Sequence, residues 1–386
     1  MQIENQKISK TMLKNLAIIL IILIIAGCAR DSRTYATMIE PKEGNSVLQK
    51  WKKAVIHLEC ATDSEHFYDR IKKIEQLQKK LQSGEIDHKR FGEEILGHSR
   101  DIRFQGTALF VTHEGRRYLV TARHVVFDEL SARREVQEED ERSSSWPEKM
   151  RPSLRQSARE RALQRIFNII FRVPSLDEIV SIPPQSKREF LMNLGAGGPT
   201  AYTFSLPELD LAVISLDQRD SNFADQLTKL GYQPIESEVI DQKPPIEGRE
   251  VFTVGYPSSI ALIGQLNLDP ASAQWSSNYF SLPVFVFGKV SMVHDKLPFF
   301  WIDMSTYPGN SGGPVIQDEK LVGIVSKQAT TPIDNVPTLR TRIPFGRVIQ
   351  SKYVLQLLLI QVHKDMEWEK MHNVANSADA KKRAAD

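Results

Sequence analysis

Disulfide bonding does not organise this chain. Its 386 residues contain two cysteines, Cys28 and Cys60, which excludes the disulfide frameworks of small exported domains. A chain of this length can bury a core without them. Net charge is also scarce, at +2, and that surplus lies in residues 1–27, where Lys7, Lys10 and Lys14 outweigh Glu4. The remainder is near neutral, so bulk attraction to nucleic acid is not expected. The nine histidines show no zinc-ligand spacing with Glu or Cys. Internal repeats and phosphate-cradling loops are missing too, and no metal or cofactor is expected.

Long apolar runs are likewise rare. Residues 16–26 form an unbroken apolar stretch that falls short of the ~20 residues a membrane span needs. After a basic start, such a run suits a secretory signal. It ends in Ile25-Ala26-Gly27-Cys28, which resembles the bacterial lipobox, with Ile25 in place of the commoner Leu. The resemblance implies cleavage before Cys28 and a lipid on its thiol. The domain would then be tethered to membrane in the bacterial envelope, on the periplasmic or surface side. An uncleaved signal anchor is the alternative, and it exports the domain equally. With Cys28 lipidated, Cys60 has no disulfide partner and reads as an inert buried thiol.

Three local patterns carry chemistry. The first is Pro308-Gly309-Asn310-Ser311-Gly312-Gly313-Pro314. It is a serine in a glycine-crowded turn between apolar segments, the setting for a sharp backbone turn. A serine hydroxyl is a weak nucleophile unless a base takes its proton. The second pattern, Thr121-Ala122-Arg123-His124, places a histidine where a strand ends. The third, Asp210-Leu211-Ala212-Val213-Ile214, opens a buried strand with a carboxylate, which is costly unless a partner compensates it. Taken singly, each has an ordinary structural reading as a turn, a strand end or a strand entry.

Together and in this order, the patterns resemble the histidine, aspartate and serine motifs of chymotrypsin/trypsin-fold serine proteases, most of all their bacterial HtrA-like branch. The likeness covers residues 100–350. It implies two antiparallel six-stranded β-barrels with the active site between them. Ser311 would attack the peptide carbonyl, with His124 as base and Asp210 orienting the imidazole. The amides of Gly309 and Ser311 would form the oxyanion hole. Asn310 stands where digestive relatives carry aspartate, which implies activity without their N-terminal switch. Ser305, Thr306 and Tyr307 would line the pocket for the residue before the cut, and Ser326 would pair with substrate backbone. None of the three is acidic, so small or medium apolar residues are expected there. A silent, partner-holding protease fold is the alternative function.

The organisation expected is a signal over residues 1–27, a tether over 28–50 and a protease domain over 51–350. Barrel one spans 51–235 and barrel two 245–348, with a helix and charged tail over 351–386. Helical insertions fall at 62–98 and 128–200. In the first, Phe67, Ile71, Ile74, Leu77 and Leu81 recur at helical spacing, Ser83-Gly84 stops the helix and Asp87 caps a second. In the other, an acidic run (Glu135, Glu138, Glu139, Asp140, Glu141) precedes an arginine-rich stretch. That stretch, which includes Leu163, Ile166, Phe167 and Ile170, reads as a helix. Its arginines either pair with the acidic run or meet an anionic membrane. Residues 364–386 read as frayed, and no PDZ module is expected.

Overall fold

The structure, a computed structural model, describes residues 44–62, 67–96, 101–163, 165–174, 189–193, 199–218, 223–258, 262–265, 279–334 and 336–383. The chain divides into two units, Met1–Gln49 and Lys50–Asp386. Of the first, only the opening residues of helix α1 (Gly44–Ala54) are described. The signal, Cys28 and most of the tether lie outside the described residues.

The first half of the larger unit is an eight-stranded sheet. Strand β1 (Val55–Thr62) pairs antiparallel with β2 (Asp101–His113), and β2 pairs with β3 (Arg116–Ala122) across the Glu114–Gly115 turn. β3 pairs with β7 (Leu211–Ser215), and β7 with β6 (Tyr202–Phe204). The short β8 (Ile235–Glu236) runs parallel to β2. Ile56, Leu58, Phe110, Leu119, Ala212 and Ile214 form its buried face, each large side chain contributing about 1.5–3 kcal/mol by leaving water.

The second half closes. β9 (Glu250–Gly255), β12 (Val284–Met292), β13 (Phe299–Ile302), β14 (Pro314–Gln317), β15 (Lys320–Ile333) and β16 (Val336–Gln350) form a six-stranded barrel. Val251, Phe300, Ile302, Val315, Val325 and Val348 fill it. A separate pair, β10 (Leu262–Gln265) and β11 (Tyr279–Ser281), completes the strands.

Of the two closed barrels expected, the second half forms one; among the described residues the strands of the first half form a sheet without a closing pair. The insertion at 128–200, expected to be helical, is helical only in part. It supplies two strands, β4 (Asn168–Pro174) and β5 (Glu189–Asn193). β4 pairs antiparallel with the end of β1, Cys60 opposite Ile169 and Ala61 opposite Asn168.

The remaining insertion is helical. α2 (Phe67–Gln82) and α3 (His88–Leu96) flank Gly84 at φ +73°. Asp87 Oδ1 caps α3 by accepting the Arg90 amide at 2.7 Å. Beyond a short turn of helix, α4 (Arg123–Val126), come α5 (Glu129–Ser143) and α6 (Arg151–Ala162). α6 ends at Ala162 and does not continue through Ile170, because Ile166 bridges to Phe127 and Phe167 is buried in the sheet core. The acidic run pairs with the arginines: Arg155 with Asp140, Arg161 with Glu135 and Glu139, and Arg165 with Glu135.

Helix α7 (Phe223–Lys229) follows β7, and α8 (Lys352–Arg383) ends the described chain. α8 continues through the stretch read as frayed. No glycine or proline interrupts residues 352–383, and Asp365 ties the helix to the first sheet. Its carboxylate accepts Tyr118 Oη at 2.9 Å, Ser215 Oγ at 3.0 Å and Gln361 Nε2 at 2.8 Å. Among the described residues, no helix is long and apolar enough to cross a membrane.

Candidate active site

The histidine turn is set by its neighbours. β3 runs straight into α4, and the buried Val125 and Val126 hold that turn down. The Arg123 amide donates to Asp210 O at 3.0 Å. Its guanidinium reaches Ser205 O at 2.5 Å and Glu129 at 2.8 Å while lying over the Phe127 ring. His124 and Asp210 are thereby brought together from elements far apart in sequence.

Asp210 sits at φ +52°, a left-handed conformation that aspartate tolerates better than most residues. The residue is 7% exposed and its carboxylate is engaged at both oxygens. Oδ1 accepts the His124 amide at 3.0 Å, Nδ1 of His124 lies 2.8 Å from Oδ2, and Ser326 Oγ donates to Oδ2 at 2.6 Å. Burial pushes the carboxyl's pKa up. The His124 hydrogen bond and charge, with the Ser326 hydroxyl and the His124 amide, outweigh burial and hold it below its ordinary value. A carboxylate at Nδ1 requires the proton there, which leaves Nε2 as the acceptor.

Ser311 lies in the turn that only glycines allow. Gly309 has φ +98° and Gly312 φ +89°, and a Cβ on either would stand 2.0 Å from a backbone oxygen, that of Tyr256 or Thr107. The turn is pinned to both halves. Thr107 N donates to Ser311 O at 2.8 Å and Gly312 N to Val325 O at 2.8 Å. Thr107 Oγ1 donates to Gly309 O at 2.7 Å. Ser258 donates to Pro308 O through its amide, at 2.8 Å, and its hydroxyl, at 3.1 Å. A planar trans peptide sends its N–H opposite its C=O, so anchoring Pro308 O turns the Gly309 N–H away from Ser258. Neither the Gly309 nor the Ser311 amide has an acceptor among the described residues.

Sequence reasoning missed Thr107 and Ser258. Thr107 carried a faint signal, a polar side chain on the buried face of an apolar strand. Ser258 carried none.

The Ser311 hydroxyl donates to Ser326 O at 3.2 Å, and among the described residues no hydrogen bond joins it to His124. Ser326 thus touches both ends of the site, its hydroxyl on Asp210 and its carbonyl on Ser311.

Residues 106–324 match the family model described as trypsin-like peptidase domain. The chain belongs to this family. No curated protein gives a significant match. Among solved structures, a mutant of human heparin binding protein (CAP37) is similar at 10% identity and a TM-score of 0.35, covering 67% of this chain and 86% of that one. The scabies mite inactivated protease paralogue S-D1 is similar at 13% identity and 0.34, covering 68% and 90%.

In this trypsin-like peptidase, Ser305 is half-buried, Thr306 is 3% exposed and Tyr307 41%. Thr306 Oγ1 is buried without a hydrogen-bond partner among the described residues, and a Cβ on Gly346 of β16 would stand 2.7 Å from its methyl. Asn310 is 1% exposed, and neither end of its amide is hydrogen-bonded among the described residues. An uncharged amide suits such a position better than a carboxylate, whose burial without a partner costs far more. Cys60 is a free, buried thiol whose pKa burial, and then the nearby Glu59, push up. That is the condition of an inert cysteine.

Proposed function

We propose that this trypsin-like peptidase is a serine endopeptidase held at the bacterial envelope membrane by lipid on Cys28. Ser311 is the nucleophile. Its hydroxyl turns from Ser326 O to His124, whose Nε2 takes the proton as Oγ bonds to the substrate carbonyl carbon. The amides of Gly309 and Ser311 receive the resulting oxyanion. His124 then delivers the proton to the leaving amine, and water hydrolyses the acyl-enzyme by the same relay. Asp210 keeps the proton on Nδ1 and stabilises the charged imidazole.

The observation that carries this reading is the 2.8 Å Asp210–His124 contact, on a carboxylate that also holds the hydroxyl of Ser326. The free pair of amides around the Gly309 turn supports the oxyanion role. Asn310 within the glycine turn supports the HtrA-like branch, and the Thr306–Tyr307 segment supports a small apolar residue before the cut.

One observation favours a second reading, a silent protease fold that holds partners: the Ser311 hydroxyl is engaged by Ser326 O at 3.2 Å. A fluorophosphonate probe separates the two. The endopeptidase is labelled at Ser311, and Ser311→Ala abolishes both labelling and peptide hydrolysis while the melting temperature holds. A folded but unlabelled chain rules out turnover. For the anchor, Cys28→Ala moves the protein from the membrane to the soluble fraction; unchanged fractionation rejects the lipid.

A further inference from the structure

We propose that a cationic pocket beside His124 selects an acidic side chain two residues before the cleaved bond. This rests on the endopeptidase reading and names its substrate class. The pocket, of about 300 Å³, is lined by Arg123, His124, Glu129, Arg133, Asp210 and Lys327, among others.

Its charges do not cancel. Three cations face two carboxylates, and both carboxylates are occupied. Glu129 accepts Arg123 through Oε2 at 2.8 Å and Arg133 through Oε1 at 3.0 Å. Asp210 is held by His124 and Ser326. Lys327 is exposed and has no ion-pair partner among the described residues. The unanswered charge is positive and lines the same pocket as His124.

The position follows from β15. Its edge toward β14 is paired only as far as Ile324, while its other edge runs along β16 to Ile333. Val325 bonds both ways to Gly312 and Gly313, and Ser326 O holds the Ser311 hydroxyl; once that hydroxyl turns to His124, Ser326 O and the residues after it present this edge beside Ser311, so an extended peptide can add to it as a strand. Side chains of such a strand alternate. On the endopeptidase reading the residue before the cut turns toward residues 305–307. The next one back points the opposite way, toward His124, Arg123 and Lys327. A carboxylate there meets an ammonium with no other partner. A lysine or arginine there meets like charge, which gives rejection as well as selection.

The test uses the full chain in detergent carrying Ser311→Ala, titrated by fluorescence anisotropy. The labelled hexapeptides have valine before the cut and either Asp or Asn one position earlier. The Asp peptide binds about fivefold more tightly at low salt, the scale of a partly exposed ion pair, and the ratio narrows as salt rises. Lys327→Glu reverses the order and brings a Lys peptide ahead of both. Equal affinity for the Asp and Asn peptides, a preference that survives Lys327→Glu, or no binding by either peptide overturns the pocket. Fluorophosphonate labelling of the unsubstituted chain reads the endopeptidase separately. Labelling without Asp preference sinks the pocket alone; Asp preference without labelling upholds the pocket and sinks turnover.

Discussion

Acid should loosen this protein through one buried histidine that takes no part in the chemistry. His57 lies on β1, 8% exposed, its ring stacked on Tyr256 with centroids 5.1 Å apart. Nε2 has no hydrogen-bond partner among the described residues, and the nearest carboxylate, Glu59, is 3.8 Å from Nδ1. Burial lowers its pKa from 6.5 to about 4. The unfolded chain therefore binds a proton at this position at a pH where the folded chain does not. Stability falls as pH drops below 6.5 and levels off only below about 4. At about 1.4 kcal/mol per unit, the loss from His57 alone between pH 7.5 and 4.5 is about 2.5 kcal/mol. His57→Phe keeps a stacked ring and removes the titration. The assay is urea unfolding of both proteins at several pH values. The wild-type curve should lose about 2.5 kcal/mol more than the variant's across this window. Parallel curves would mean that the ring is protonated, or solvated, in the folded state.

Three other substitutions probe the site and its support. Gly309→Ala sets a Cβ 2.0 Å from Tyr256 O at φ +98° and should cut kcat/KM by ~100-fold or more, the scale of a lost oxyanion donor; a fully active variant would show that this amide does not serve the reaction. Ser326→Ala removes the 2.6 Å hydroxyl from Asp210 and raises that carboxyl's pKa. A depressed carboxyl stabilises the fold above its unfolded value of 3.8 and loses this as pH falls through its folded value. Acid unfolding should therefore begin at higher pH, and an unmoved transition would count against the bond. Asp365→Ala strands the donors of Tyr118, Ser215 and Gln361 at ~1–3 kcal/mol each, so calorimetry should show a fall in stability of ~3 kcal/mol or more; a change under ~1 kcal/mol would mean that water replaces the carboxylate.

What the sequence shows clearly is what local chemistry dictates. The glycines around Ser311, the apolar run after Asp210, β9 at residues 250–255 and the Asp87 cap each follow from a few adjacent residues. The edge of the first sheet does not. Leu163, Ile166, Phe167 and Ile170 recur every three or four residues and mimic a helix, yet Ile169 pairs with Cys60 across more than a hundred residues. A short apolar run has no internal means of choosing between the two periods, and the open edge of β1 decides. The tail misleads in the opposite direction. Its lysines and alanines read as solvated, while the contacts of Asp365 with Tyr118 and Ser215 are invisible until the helix lies on the sheet.

The same distinction explains why the site is built from so few catalytic side chains and so many anchors. Ser311 sits on a turn whose glycines could relax into other conformations, and glycine loses more backbone freedom on ordering than any other residue. That freedom is removed from outside. Thr107 makes four hydrogen bonds, receiving Thr121 Oγ1 on its carbonyl and the Tyr256 amide on its hydroxyl, and giving to Ser311 O and Gly309 O. It therefore ties β2, β3, the end of β9 and the nucleophile turn together at one point. Ser326 makes the complementary tie from β15 to the acid. An open first sheet is compatible with such a site because neither tie uses the β4–β5 edge. Closure of the second barrel is not optional in the same way, since Tyr256 directly follows β9, the Ser311 turn leads into β14 and Ser326 lies within β15.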